Sequence, residues 1–207
     1  MEAWISILLS LFALSVSAMT AWLTLFKHGK LLMTQPTTIF FGPDGGFFES
    51  TKNKVYLRTL LYSSSRKGQV IESMHVTLDR GETKQNFSIW VHGQKGDLVR
   101  GSGLFVTYEG VTLNHHFLLP PDGSDFKFLA GDYKLKVFAK LVNSLEPINL
   151  YSITLAVTQS HAENMKQKNA GLFFDWGPDQ GSYYPHIDIK TEPDLDQFMN
   201  MIANKKT

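Results

Sequence analysis

The chain has 207 residues, contains no cysteine and carries a formal net charge of +1. The absence of cysteine excludes disulfides, thiolate metal sites and cysteine nucleophiles. The near-neutral charge provides no field to attract nucleic acid. With 43% apolar and 19% charged residues, the composition indicates a folded protein.

The N-terminal segment is strongly apolar. No charged residue occurs from Ala3 to Phe26. As a helix this run reaches about 36 Å, more than the hydrocarbon core of a bilayer. Trp4 and Trp22 lie near its two ends, where indole rings prefer the membrane interface. The pattern predicts one transmembrane helix over residues 1–26.

A cleaved signal peptide is the alternative, because Val16-Ser17-Ala18 offers a small-residue cleavage site. Two observations favour the anchor. Met1 is followed by Glu2 rather than by a basic residue, and the apolar run continues past the proposed cut.

The residues that flank the helix predict its orientation. Lys27, His28 and Lys30 follow the helix, whereas only Glu2 precedes it. The positive-inside rule then places the C-terminal side in the cytoplasm, which for a bacterial cell implies the inner membrane. Lys27 and Lys30 are also positioned to contact anionic lipid headgroups.

Small residues recur along one ridge of the helix. Ala13, Ser17 and Ala21 have four-residue spacing, which allows a second helix to approach closely. This pattern suggests a homo-oligomer formed through the ridge, although small residues are frequent in any membrane helix.

After a basic linker over residues 27–36, eight runs rich in β-branched and aromatic residues predict strands. No long helical pattern separates them, which favours an antiparallel β-sandwich over residues 37–160. The runs are Thr37–Phe41, Lys54–Tyr62, Val70–Asp79, Lys84–His92, Gly103–Tyr108, Val111–Leu119, Tyr133–Val142 and Asn149–Thr158.

Alternation is clearest after Gly131. Tyr133 and every second residue to Leu141 are apolar, whereas Lys134, Lys136 and Lys140 lie between them. This pattern predicts a half-buried strand with its lysines in water. Met74, Val76 and Leu78 alternate with polar residues in the same way.

The segment from Ala130 to Leu135 resembles the start of strand F in immunoglobulin-like domains, which place a tyrosine where Tyr133 stands. The resemblance covers roughly residues 37–160. It implies an immunoglobulin-like β-sandwich in which the Tyr133 hydroxyl bonds to upstream backbone. Leu135 replaces the second core cysteine of antibody domains. The layout of anchor, linker and sandwich is also similar to small bacterial membrane proteins of uncharacterised function.

Residues 161–207 are predicted to form a C-terminal extension. Phe173-Phe174 echoes Phe40-Phe41, since both aromatic pairs run towards a Gly-Pro-Asp turn. A capping-box pattern at Thr191 precedes apolar residues at helical spacing, which predicts a short amphipathic helix. These residues are Leu195, Phe198, Met199 and Ile202.

The sequence contains no recognisable catalytic, cofactor-binding or metal-binding motif. His115 and His116 are adjacent in a predicted strand, so they point to opposite faces and cannot chelate one ion. His115 shares its face with apolar neighbours, which predicts a core histidine. We therefore expect a protein that is not an enzyme and needs no cofactor.

Aromatic residues are the remaining candidates for contacts with a partner or ligand. Alternation places Trp90 and Phe138 on outward faces, and Trp176, Tyr183 and Tyr184 are predicted in loops. A tail folded over Trp90 and Phe138, which would make them a second small core, is the alternative. The sequence thus favours a membrane-anchored interaction or scaffold module that binds a protein. The second hypothesis is a carbohydrate-binding sandwich at the cell surface, with Trp176, Tyr183 and Tyr184 as stacking platform.

Overall fold

The computed structural model describes residues 2–26, 29–44, 52–93, 98–101, 103–120 and 126–189. Helix α1, Glu2–Ala21, continues into a π-helical turn, Trp22–Phe26. The segment Ala3–Thr24 is long and apolar enough to cross a membrane, and it is not buried against the other residues that the structure describes. The N-terminal apolar helix is therefore confirmed.

Within these described residues, thirteen strands and a second short helix, α2 (Gln159–Asn164), follow. The strands are β1 Leu31–Met33, β2 Thr38–Pro43, β3 Asn53–Ser63, β4 Gln69–Arg80, β5 Thr83–Phe87, β6 Ile89–Gly93, β7 Val99–Arg100, β8 Leu104–Val106, β9 Val111–Leu118, β10 Gly131–Leu141, β11 Ile148–Val157, β12 Ala170–Gly177 and β13 Ser182–Ile189.

The strands form two antiparallel sheets that pack face to face as a β-sandwich, which confirms the predicted fold class. The first sheet has the order β13-β12-β2-β3-β9-β6-β7, and β1 also pairs with β3. The second sheet has the order β11-β10-β4-β5, and β8 also pairs with β4.

Strand β10 shows why the core lies between the sheets. Tyr133, Leu135, Val137 and Ala139 are fully buried. The lysines between them face outward, and Lys136 Nζ lies 2.6 Å from Asp79 Oδ2 on β4. The alternation read from the sequence therefore corresponds to a strand with one face in the core.

The tyrosine corner is present at the start of β10. The Leu129 amide donates to the Tyr133 hydroxyl and the hydroxyl donates to the Leu129 carbonyl, both at 2.9 Å. The Arg80 guanidinium lies 5.9 Å from the ring centre, over its face. These contacts confirm the hydrogen bond predicted from the sequence and fix the entry into β10.

One predicted strand is divided between the sheets. The run Lys84–His92 forms β5 in the second sheet and β6 in the first, with Ser88 between them. Phe87 and Trp90 are both buried, at 0% and 3% exposure, although a single strand would point them to opposite faces. The outward assignment of Trp90 is therefore wrong, because the crossing at Ser88 resets the alternation.

The first sheet extends beyond the segments assigned to it from sequence. Residues 31–33 of the predicted linker form β1, and β12 and β13 from the predicted C-terminal extension add two strands beside β2. The β-sandwich thus continues to residue 189. The helix predicted after Thr191 lies outside the described residues.

Candidate functional site

The outer face of the first sheet carries an unbroken line of five rings on five neighbouring strands. Successive members are direct cross-strand partners, so each ring lies beside the next. At the usual strand spacing the line is about 19 Å long. We call it the aromatic row, and it consists of His186, Phe173, Phe40, Tyr56 and His116.

Ring contacts hold the aromatic row in place. Phe173 and His186 stack with centroids 5.4 Å apart, Phe40 and Phe173 lie 4.7 Å apart, and Tyr56 and His116 lie 4.9 Å apart. Phe40 is only 6% exposed and forms the base of the row. Its ring lies so close to Gly171 that a Cβ there would overlap it, so glycine is required at that position.

A second line of residues runs parallel to the aromatic row, two positions along each strand. We call it the polar row, and it consists of Tyr184, Asp175, Thr38, Arg58 and Asn114. Tyr184 is 42% exposed. Arg58 is exposed as well. The two rows therefore present aromatic rings beside a guanidinium group, a carboxylate, and hydroxyl and amide groups.

Polar contacts link residues within the polar row and connect the two rows. The Thr38 hydroxyl donates to Asp175 Oδ1 at 2.8 Å, and the other carboxylate oxygen lies 3.6 Å from His186 Nδ1. The Tyr56 hydroxyl donates to Asn114 Oδ1 at 2.9 Å, and partial burial raises the pKa of Tyr56. These contacts hold the side chains of both rows in fixed positions.

Of the predicted contact residues, Tyr184 alone belongs to this surface. Trp176 and Tyr183 lie in strands rather than loops and share the inward-facing side of the hairpin, with rings 5.1 Å apart. The Tyr183 hydroxyl donates to the Pro36 carbonyl at 2.7 Å, and burial raises the pKa of this hydroxyl. Tyr183 therefore packs against the core, and the Trp176 ring packs on Tyr183.

Phe138 faces outward from the second sheet, as predicted, and stacks on its cross-strand partner His75 at 5.0 Å. Burial beneath this ring lowers the pKa of His75, and the positive charge of Lys84 lowers it further by a smaller amount. The pair lies on the opposite face of the sandwich from the aromatic row. It does not combine with Trp90, which is in the core.

Trp90 has a buried polar partner. Its indole N–H donates to His115 Nδ1 at 3.1 Å. Because an indole N–H only donates, His115 must accept at Nδ1 and carry its proton on Nε2. That Nε2 is buried without a partner among the described residues. Burial lowers the pKa of His115 to about 3, with smaller effects from His92 and His116.

The structure thus confirms His115 as a core histidine and places His116 on the outer face, in the aromatic row. His92 is the cross-strand partner of His115 and packs on Trp90 at 4.4 Å. Among the described residues, no three His, Asp or Glu side chains are grouped so that they could hold a metal ion.

Sequence reasoning missed most of the aromatic row. The signal was available, because Phe40, Tyr56 and Phe173 each alternate with apolar residues that are buried in the core. The echo between Phe40-Phe41 and Phe173-Phe174 was the clearest hint. In the structure Phe40 pairs with Phe173 outside, while Phe41 and Phe174 contact each other inside, 5.3 Å apart.

Comparison of the chain with protein-family models, with curated proteins and with solved structures finds no match.

Proposed function

We propose that this chain is a membrane-anchored, non-catalytic interaction module that binds a protein partner through the outer face of its first sheet. The observation that carries the proposal is the aromatic row flanked by the polar row. Aromatic rings with an exposed arginine and tyrosine beside them are the groups that contribute most to protein interfaces.

The anchor supports the same proposal. Helix α1 is apolar on every side and packs against nothing else in the described chain. We infer that it crosses the inner membrane and that Lys27 and Lys30 keep the sandwich in the cytoplasm. Ala13, Ser17 and Ala21 form a small-residue ridge suited to pairing with another helix, including that of a second copy.

We also infer that the sandwich is immunoglobulin-like. The tyrosine corner at Tyr133 supports this relationship, and so does the antiparallel pairing of two sheets over one core. Such domains serve many functions, so the relationship adds architecture and does not select a ligand.

Carbohydrate binding is the second candidate, and the polar row favours it. Sugar rings stack on exposed aromatic faces while their hydroxyls bond to carboxylate, amide and guanidinium groups. Asp175, Asn114 and Arg58 lie one row away from Phe173 and Tyr56. This candidate requires the sandwich to face the outside of the cell, contrary to the orientation inferred above.

A matched pair of variants tests the surface. The double variant Arg58→Glu with Tyr184→Ala alters exposed groups of the polar row, whereas Lys134→Glu alters an exposed lysine on the other sheet. Proteins that co-purify after gentle detergent extraction should be lost from the double variant and kept by Lys134→Glu. Equal recovery from wild type and both variants would reject this surface as the interface. Glycan binding that the double variant abolishes, without any protein partner, would establish the second candidate.

The anchor is tested separately. The protein should remain with membranes after carbonate washing, because about twenty buried apolar residues outweigh any peripheral contact. Release of a soluble chain shortened by the first 18 residues would establish the signal-peptide alternative.

A further inference from the structure

The chain enters the sandwich at one defined end. The Lys30 amide donates to Ser64 Oγ at 2.7 Å, and its carbonyl accepts from the Ser64 amide at 2.9 Å. Gln69 Nε2 donates to the Gly29 carbonyl at 2.9 Å. The first described residues after the helix are therefore fixed to the turn between β3 and β4.

Covalent geometry keeps this end close to the membrane segment. Only Lys27 and His28 separate Phe26 from Gly29. Three steps of 3.8 Å limit the distance between the two flanking Cα atoms to about 11 Å. If the helix crosses a bilayer, as proposed above, the end of the sandwich that holds Gly29 must lie at the bilayer surface.

The anchor-proximal end includes three turns that hydrogen bonds connect to its strands. They join β3 to β4, β8 to β9, and β10 to β11. The Ser63 amide donates to the Thr107 carbonyl at 3.0 Å, and the Val142 amide donates to the Val70 carbonyl at 3.1 Å. The turns are thus held side by side.

Large apolar side chains are exposed at the anchor-proximal end. Phe105 and Val70 are cross-strand partners on the outer face of the second sheet, with Val142 next to Val70. All three are exposed. Leu145, in the turn after β10, is 95% exposed, and Tyr108 is exposed in the turn after β8. The turn between β4 and β5, at the other end of the sandwich, presents Gly81 and Glu82 instead.

The exposed ring of Phe105 is held in position. It packs on Gly68, where an added Cβ would overlap the ring, and Gly68 has a φ of +70° that favours glycine. An apolar ring held in this exposed position is accessible to a surface outside the sandwich.

Basic side chains surround the apolar ones. Lys30, Arg66 and Lys67 are exposed at the anchor-proximal end. Glu109 and Glu146 are exposed there as well, so the charge around the apolar side chains is mixed. Lysine and arginine side chains close to a membrane surface attract the anionic phosphates of lipid headgroups.

We propose that the anchor-proximal end docks on the bilayer surface, with Tyr108, Leu145 and the Phe105 ring in the headgroup region and Arg66 and Lys67 against anionic phosphates. Apolar side chains gain by leaving water for the interface, and tyrosine prefers that depth. The short connection keeps the surface at high local concentration, so even a weak affinity suffices to hold it there. The domain then stands in one orientation, with the sheet faces directed away from the lipid.

Because the chain has no cysteine, single labels report on this docking without background. Full-length variants Leu145→Cys, Tyr108→Cys, Glu82→Cys and Leu14→Cys are labelled with an environment-sensitive fluorophore and reconstituted in vesicles of phosphatidylcholine with phosphatidylglycerol. Lipids carrying a spin label just below the headgroup serve as quenchers for the labels at residues 82, 108 and 145, and lipids carrying it near the end of the acyl chain serve as quenchers for the label at residue 14. The labels at residues 145 and 108 should be quenched and blue-shifted, and the label at residue 82 should show neither effect.

The four labels separate two kinds of failure. Quenching at residue 14 but not at residues 108 and 145 would overturn the docking and leave the anchor intact. No quenching at residue 14 would overturn the proposed membrane span, and the docking with it. Adding Arg66→Glu and Lys67→Glu to Leu145→Cys should reduce the quenching in anionic vesicles. Unchanged quenching would show that the basic side chains do not contact lipid.

Discussion

Lowering the pH should destabilise the sandwich through His115. In the folded chain this imidazole is buried, accepts a hydrogen bond from Trp90 and has a pKa of about 3. In the unfolded chain its pKa returns to about 6.5. Between these values the unfolded state binds a proton that the folded state does not. The contribution to stability is therefore present above about pH 6.5 and is lost as the pH falls towards 3.

The magnitude follows from the difference between the pH and the unfolded pKa. At pH 5 the difference is about 1.5 units, which corresponds to about 2 kcal/mol of lost unfolding free energy from this one side chain. Burial lowers the pKa values of His75 and His92 too, so they add to the loss in the same direction. The total slope of stability with pH is expected to be larger than the His115 contribution alone.

Urea unfolding of the detergent-solubilised chain, followed by near-ultraviolet circular dichroism at pH 7 and pH 5, measures the effect. The variant His115→Gln keeps an acceptor for the Trp90 N–H but cannot titrate, so it should lose about 2 kcal/mol less than wild type over this interval. Phe117→Leu, two positions along β9, should lower stability by the same amount at both pH values. Equal pH dependence in wild type and His115→Gln would refute the assignment of a neutral buried imidazole.

Three further predictions concern the fold and the topology. Tyr133→Phe keeps the ring but loses both hydrogen bonds to Leu129, which should cost about 1 kcal/mol or somewhat more in urea unfolding; an unchanged midpoint would contradict the corner. Val137→Asp should prevent folding because it buries an unpaired charge. Lys136→Met removes only a partly exposed ion pair with Asp79, so it should lower the unfolding free energy by at most about 1 kcal/mol. If Lys136→Met were the more destabilising of the two, the strand register would be wrong. A reporter that is active only in the cytoplasm, fused after Thr207, should be active, and Lys27→Glu with Lys30→Glu should reduce that activity. Cleavage of the sandwich by protease added outside intact cells would show the opposite orientation.

Most of the strands could be predicted from local sequence patterns, because the alternation of apolar and polar residues depends on each segment alone. Every second side chain of β10 enters the core, and the pattern of one apolar and one lysine face is visible without knowing its neighbours. The tyrosine corner was predictable for the same reason, since Tyr133 bonds to Leu129, only four residues away. The apolar helix likewise needs no tertiary partner to be recognised.

The pairing of strands that are far apart in sequence determined the features that local patterns did not predict. Trp90 was misassigned because the chain passes from the second sheet to the first at Ser88. The crossing switches which alternate positions face the core, and nothing in the residue pattern indicates the switch. The aromatic row depends on the order of five strands drawn from β2, β3, β9, β12 and β13. Phe40 and Phe173 are far apart in sequence and become neighbours only through the pairing of β12 with β2. Alternation identified the outward-facing residues of strands such as β10, and only the tertiary structure determined which outward-facing residues of different strands lie side by side.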